Sequence, residues 1–161
     1  MILTDVNVLV AAYLDDHPEH ARCRSFLQSV LTGQEPFGTS GLVVSGFLRI
    51  VTLPRIFARP SPLEHAMRFA RVLLAHPHAV PVNPGLRHWE IFSGLCMKAE
   101  AKGNLIPDAY LAAMAIESGC EWITLDGDFA RFPGLRWRMP PRLEESSLTV
   151  HQGSAIHRRD R

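Results

Sequence analysis

Apolar residues along the chain switch between two periods, and the switches outline the elements. Ile2 to Thr4 is a short apolar run ending at Asp5, and Val6 to Leu14 stays apolar without alternation. This predicts a strand followed at once by a helix. Past Pro18, a residue suited to a first helical position, Cys23, Phe26, Leu27, Val30 and Leu31 recur at helical spacing until Gly33 stops them. Phe37 to Ser40 predicts a second strand, and Leu42 to Thr52 a buried helix broken before Pro54. Ser61-Pro62-Leu63-Glu64 carries a capping-box pattern with proline at the first helical position. Leu63, Met67, Ala70 and Leu74 then form one face, opposite Glu64, Arg68 and Arg71.

Ala79 to Val82 predicts a third strand despite Pro81. Trp89, Phe92, Leu95, Cys96 and Ala99 form the next helical stripe, closed by Gly103. Pro107 opens another helix that ends at Gly119. Glu121 to Leu125 reads as a strand running into Asp126-Gly127-Asp128, and Leu135, Trp137 and Met139 alternate with arginines as a final edge strand. Trp122 and Trp137 read as core residues. Strands alternating with helices imply an α/β domain over residues 1–141, with a mostly parallel sheet covered by helices on both faces. Residues 142–161 have few large apolar side chains and no period, and read as a flexible tail.

Composition narrows the classes. The chain has 161 residues, 47% of them hydrophobic and 20% charged, as expected of one globular domain. No apolar run approaches the ~20 residues of a membrane span, and the start has neither a basic segment nor a cleavage site, so the expected location is the cytoplasm. Cys23, Cys96 and Cys120 form no pair with metal-ligand or redox spacing and read as buried thiols. A net charge of +1 gives no global sign of a polyanionic partner. Locally, Arg49, Arg55, Arg59, Arg68 and Arg71 face one acid, Glu64, and form a candidate phosphate-binding surface.

The candidate chemistry lies in acids at strand ends and helix starts, where parallel α/β sheets gather ligands. Asp5 follows the first strand, Asp126 follows a later one, and Asp108 sits in the first turn of the Pro107 helix. Each has a structural explanation: Asp5 as a helix cap, Asp108 as an acid favoured by the helix dipole, Asp126-Gly127 as a turn. Brought together, the carboxylates would repel one another and raise each other's pKa unless a cation intervened. All-oxygen ligands suit Mg²⁺, or Mn²⁺ in its place. Such ions serve phosphodiester hydrolysis. The eight histidines show no zinc-protease spacing, and His88 beside Trp89 reads as structural.

Here D-V-N-V-L-V, N-L-I-P-D-A-Y-L-A-A-M-A-I-E-S-G and T-L-D-G-D-F resemble the PIN-domain toxins called VapC, close to the mycobacterial branch. F-L-R-I-V-T, R-H-W-E-I-F and R-F-P-G-L-R-W extend the resemblance over roughly residues 1–140. It implies a PIN-like three-layer fold and a Mg²⁺-dependent endoribonuclease that cuts structured RNA with metal-activated water, leaving 5′-phosphate and 3′-hydroxyl ends. It also implies a type II toxin held inactive by a cognate VapB-like antitoxin, and a homodimer. By position, Asp5, Asp108 and Asp126 match the family's metal-site acids and Asp128 a further acid. Asn7 matches a polar residue after the first aspartate. Asn104, one turn before Asp108, is a candidate to orient that carboxylate or to cap the helix, and Arg49 a candidate to contact RNA. One departure stands out: where the family carries a glutamate in the helix after the second strand, this chain has Gly46. That implies one tightly held metal, or low intrinsic activity.

Two other readings remain. D-V-N after the first strand superficially resembles the D-x-D nucleophile loop of haloacid-dehalogenase phosphatases, but Asn7 replaces the acid that chemistry needs. A PIN-like module that binds RNA or protein without cutting is motivated by Gly46.

Overall fold

A computed structural model describes residues 1–54 and 60–142. Five short strands, β1 (Ile2–Thr4), β2 (Phe37–Thr39), β3 (Ala79–Pro81), β4 (Glu121–Ile123) and β5 (Trp137–Arg138), form one sheet in the order β3-β2-β1-β4-β5. Every pairing is parallel, as alternation of strands with helices requires. Six helices complete the mixed α/β architecture: α1 (Val6–Tyr13), α2 (His20–Thr32), α3 (Gly41–Val51), α4 (Leu63–Leu74), α5 (His88–Lys98) and α6 (Leu105–Glu117). The strand order reverses direction between β1 and β4, so a crevice opens beyond their carboxyl ends.

The core lies where the pattern places it. Val8, Leu9, Phe47, Met114, Trp122 and Ile123 are fully buried. In α6, Ala109, Ala112, Ala113 and Ala115 are all buried, and their small side chains let the helix lie close to its neighbours. Helix α6 ends in a Schellman motif, with Cys120 N–H donating to Ala115 O and Gly119 N–H to Ile116 O. Gly119 at φ +65° supplies the left-handed residue this closure needs.

Several expected details differ. Helix α2 begins at His20, after Pro18, and Pro62 occupies the N-cap of α4 with no side-chain cap. Helix α4 buries Ala66, Ala70 and Leu73, while Leu63 and Leu74 of the expected face are exposed. The buried stripe is rotated because half-buried Phe69 packs on Phe47 of α3 and Tyr13 of α1. Helix α5 closes at Lys98, before Gly103. Glu100 takes the left-handed position at φ +49°, with Ala101 N–H donating to Cys96 O. Trp89 is 71% exposed and outside the core, Trp137 is half-buried, and so is the Cys96 thiol. Among the described residues no helix is long and apolar enough to cross a membrane. The expected tail lies outside the described residues beyond Arg142, as do Arg55 and Arg59 of the arginine cluster. Arg68 pairs with Glu64 at 2.9 Å on an exposed helix face, which makes a solvated i,i+4 pair.

Candidate active site

Asp5 leaves β1 at the strand-order reversal and starts α1. Its backbone N–H continues the β1–β4 ladder by donating to Ile123 O at 2.8 Å, and its Oδ1 accepts from Val6 N–H at 2.6 Å as the helix cap. The capping explanation is therefore correct, yet it accounts for one oxygen only. Oδ2 accepts from the Thr124 hydroxyl at 2.6 Å and from Asn7 Nδ2 at 2.9 Å. A carboxylate has about four acceptor positions, so this one is held rigidly with capacity left on Oδ1.

Thr124 is the residue the sequence reading missed. It directly follows β4, is completely buried, and its Oγ1 also accepts from Asn7 Nδ2 at 3.0 Å and from Asp126 N–H at 3.0 Å. Asn7 Oδ1 accepts in turn from Leu125 N–H at 3.1 Å. One hydroxyl and one amide thus tie the end of β1 to the loop after β4 across a separation of 117 residues. The available signal was a threonine closing the apolar run Trp122-Ile123. A hydroxyl there must find partners once buried.

Asp126 behaves as a turn residue, accepting from Asp128 N–H at 2.8 Å at the start of a short 3-10 turn, Gly127–Arg131. Asp108 lies half-buried in the first turn of α6. Their fields nevertheless reach one another. Burial holds the Asp5 carboxyl up at about 6, against the lowering effect of its Thr124 and Val6 hydrogen bonds, with the charges of Asp108 and Asp126 adding to the rise. Burial likewise raises Asp108, helped by Asp126 and Asp128. The four aspartates therefore share one electrostatic neighbourhood, Asp128 at its exposed rim.

Among the described residues no three Asp, Glu, His or Cys side chains are closed into a ready ligand set. A Mg²⁺-type ion tolerates this, because it retains several waters and needs only one or two carboxylates beside a substrate phosphate. The donor set, all oxygen and net negative, fits such an ion chemically. Neither role expected of Asn104 is realised: it stands at the N-cap of α6, exposed, without a capping hydrogen bond. His88 is buried, with Nε2 3.0 Å from Tyr110 O, in keeping with its structural reading.

Gly46 has a reason of its own. A Cβ there would lie 2.9 Å from Val6 Cγ2, so the missing side chain lets α3 approach the start of α1. A glutamate at this position would have to displace Val6, the residue next to Asp5.

The PIN domain family model matches residues 2–135. Ribonuclease VapC31 of Mycobacterium tuberculosis is 45% identical over 141 residues, spanning 88% of this chain and 99% of that protein. Ribonuclease VapC43 of the same organism is 44% identical, covering 87% and 95%. In structure, the chain resembles VapBC2 from Rickettsia felis bound to a promoter DNA fragment, with a TM-score of 0.64, 18% identity and coverage of 86% and 98%. It also resembles Mycobacterium tuberculosis VapC20, described as a Sarcin-Ricin loop cleaving toxin, with a TM-score of 0.62, 16% identity and coverage of 84% and 99%. With the domain match and the near-complete alignments to these ribonucleases, the chain belongs to the PIN-domain family, in its VapC ribonuclease branch.

Proposed function

We propose that this protein is a Mg²⁺-dependent endoribonuclease, with Mn²⁺ as substitute, and the toxin of a type II toxin–antitoxin pair acting in the cytoplasm. The observation that carries this reading is the buried Asp5 carboxyl, held near pKa 6 at the β1/β4 switch point with Asp108 and Asp126 in its field. A protein keeps such a costly cluster where a cation relieves it. Asp5, Asp108 and Asp126 would hold the ion, and Asp128 would join them when RNA is present. The bound ion would supply Lewis acidity at the scissile phosphate and a more acidic attacking water. Asn7 and Thr124 keep Asp5 in one orientation, so no reorganisation accompanies ion binding. The PIN domain would span residues 1–141, with a tail after it.

Structured RNA is the proposed substrate, since sequence-specific recognition of RNA targets loops with splayed bases. The proposed partners are a VapB-like antitoxin, which blocks the acids, and a second copy of this chain. Purified full-length protein should cut RNA to 5′-phosphate and 3′-hydroxyl products. EDTA should abolish the activity and Mg²⁺ or Mn²⁺ restore it, while Asp5→Asn and Asp108→Asn remain inactive though folded. RNA bound but never cut under any metal would replace this reading with the non-cutting module.

A further inference from the structure

The β2 side of the site holds no acid: from Phe37 to Val51 the chain has neither aspartate nor glutamate, and position 46 is glycine. It does hold a buried hydroxyl. Leu3 of β1 pairs with Gly38 of β2, and two residues further along stand Asp5 and Ser40, both in extended backbone. Residues two apart in extended chain share a face, so Ser40 flanks Asp5 one strand spacing away, about 4.8 Å. Thr124 flanks Asp5 in the same way from the other side, one residue past the Thr4–Ile123 pair, and its hydroxyl bonds the carboxylate. Ser40 is thus the β2 counterpart of Thr124. Serine is a favoured helix cap and Ser40 occupies the N-cap of α3, yet its side chain makes no capping hydrogen bond. It is 3% exposed, and its hydroxyl has one contact among the described residues, to the Met114 sulfur at 3.6 Å. A thioether accepts and cannot donate, so the O–H is turned to Met114 and both lone pairs of Oγ are left over. Buried hydroxyls are ordinarily satisfied, and this one keeps accepting capacity that no described protein donor fills.

We propose that Ser40 is a positioning residue of the ion site: its Oγ accepts a hydrogen bond from a water that the divalent cation retains on the β2 side, and so helps to hold the ion beside Asp5. The inference rests on the metal-dependent ribonuclease reading and adds a residue to its site. A Mg²⁺-type ion keeps several waters, whose protons need acceptors. The aspartates approach from β1, from the turn after β4 and from α6, which leaves the β2 side to be served by something else. Thr39 alternates to the opposite face of the sheet, and the Ser45 hydroxyl already donates to Leu42 O at 3.0 Å. Ser40 remains. Position 46 cannot supply the acceptor, because Val6 fills the space against α3 there. A neutral oxygen also suits this place, since the charges of Asp108 and Asp126 already act on the buried Asp5 carboxyl and another carboxylate would add to the repulsion. Met114 lies fully buried in α6, the helix that carries Asp108. By taking the hydroxyl proton it sets the direction of the Oγ lone pairs, so one helix brings an acid and orients a hydroxyl.

The test titrates Mn²⁺ alone into full-length protein by calorimetry at neutral pH, and records melting temperatures in EDTA and in Mn²⁺. Ser40→Ala should weaken Mn²⁺ binding roughly 10-fold, the scale of losing a hydrogen-bond partner around a metal, and should shrink the rise in melting temperature on metal addition. Its melting temperature in EDTA should stay level, because only a weak contact to sulfur is lost. Ser40→Thr keeps the hydroxyl and should bind Mn²⁺ within about 3-fold of the wild type, well short of the alanine's loss. Asp5→Asn, run alongside, should lose the binding and so show that the titration reads this site. Wild-type Mn²⁺ affinity in Ser40→Ala overturns the proposal. So does a Ser40→Ala protein that melts lower in EDTA with an affinity that threonine does not restore, since Ser40 would then be a structural cap, and so does unchanged affinity in Asp5→Asn. Cleavage of RNA by the wild type, with and without EDTA, is scored separately. Weakened Mn²⁺ binding in Ser40→Ala without any wild-type cleavage supports Ser40 and sinks the ribonuclease reading; cleavage with Mn²⁺ binding indifferent to Ser40→Ala sinks the role of Ser40 alone.

Discussion

Asp5→Asn probes the site without RNA. In the folded, metal-free protein burial holds the Asp5 carboxyl at about 6, against 3.8 for an exposed aspartate. A raised carboxyl pKa contributes stability that is fully present below the unfolded value and lost as pH rises through the folded one. At pH 5 the native carboxyl is mostly protonated and the unfolded one mostly ionised, so the native state gains about 1.4 kcal/mol; by pH 8 the gain is essentially zero. The asparagine does not titrate. Whatever it costs to place an amide against the Thr124 hydroxyl and Asn7 Nδ2 is the same at both pH values and drops out of the comparison. Urea unfolding in EDTA at pH 5 and pH 8 should therefore show the wild type losing about 1.4 kcal/mol more than Asp5→Asn. That is roughly 0.7 M in midpoint for a slope near 2 kcal/mol/M. Adding Mn²⁺ at pH 8 should raise the wild-type midpoint and leave the variant's where it was. Equal pH dependence in the two proteins would refute the argument that Asp5 is held charged at a cost.

Other substitutions test the supporting structure. Thr124→Val keeps the shape and removes a hydroxyl with three partners, leaving Asp5 Oδ2 and Asp126 N–H short of bonds. It should destabilise the fold by about 2–3 kcal/mol and abolish cleavage, whereas Thr124→Ser retains most of both. Gly46→Glu should destabilise by about 1–2 kcal/mol, because overpacking against Val6 outweighs the gain of up to ~1 kcal/mol in helix propensity. Adding Val6→Ala should recover part of that loss in a thermal melt. Glu100→Gly relieves the left-handed backbone after α5 and should raise stability by about 0.5–1 kcal/mol; a lower melting temperature would contradict the Schellman closure. Glu117 accepts from Gly85 and Arg87 N–H, which holds its carboxyl below the ordinary range. Glu117→Gln should therefore lower the melting temperature at neutral pH, with the gap closing as pH falls below 4.5.

Periodicity located each element because it reflects a one-dimensional rule: Ile2 to Thr4 and Glu121 to Ile123 are short apolar runs between turn signals, and α2 repeats at helical spacing. Where two faces of a helix are both partly apolar, that rule has no way to choose. In α4 either Leu63-Met67-Ala70-Leu74 or Ala66-Ala70-Leu73 could have turned inward, and contact with Phe47 and Tyr13 decided it. The exposed Trp89 is a similar case, since hydrophobicity alone assigns such a residue to the core.

Asp5, Asp108 and Asp126 were legible as candidates because acids at strand ends and helix starts follow from local geometry, and the family motifs carried the same residues. Their local roles were legible too, since capping and turn formation involve neighbours in sequence: Asp5 with Val6, Asp126 with Asp128. What only the tertiary structure decided is what joins positions more than a hundred residues apart. The parallel register of β1 with β4 sets Asp5 beside Thr124, and the hydroxyl, the Asn7 amide and the Leu125 and Asp126 N–H groups then satisfy one another because burial leaves them no water. The same holds at Gly46, whose meaning depended on the approach of Val6 across a helix pair. Local chemistry is written in neighbouring residues, while desolvation and charge repulsion are set by distances that exist only once the chain has folded.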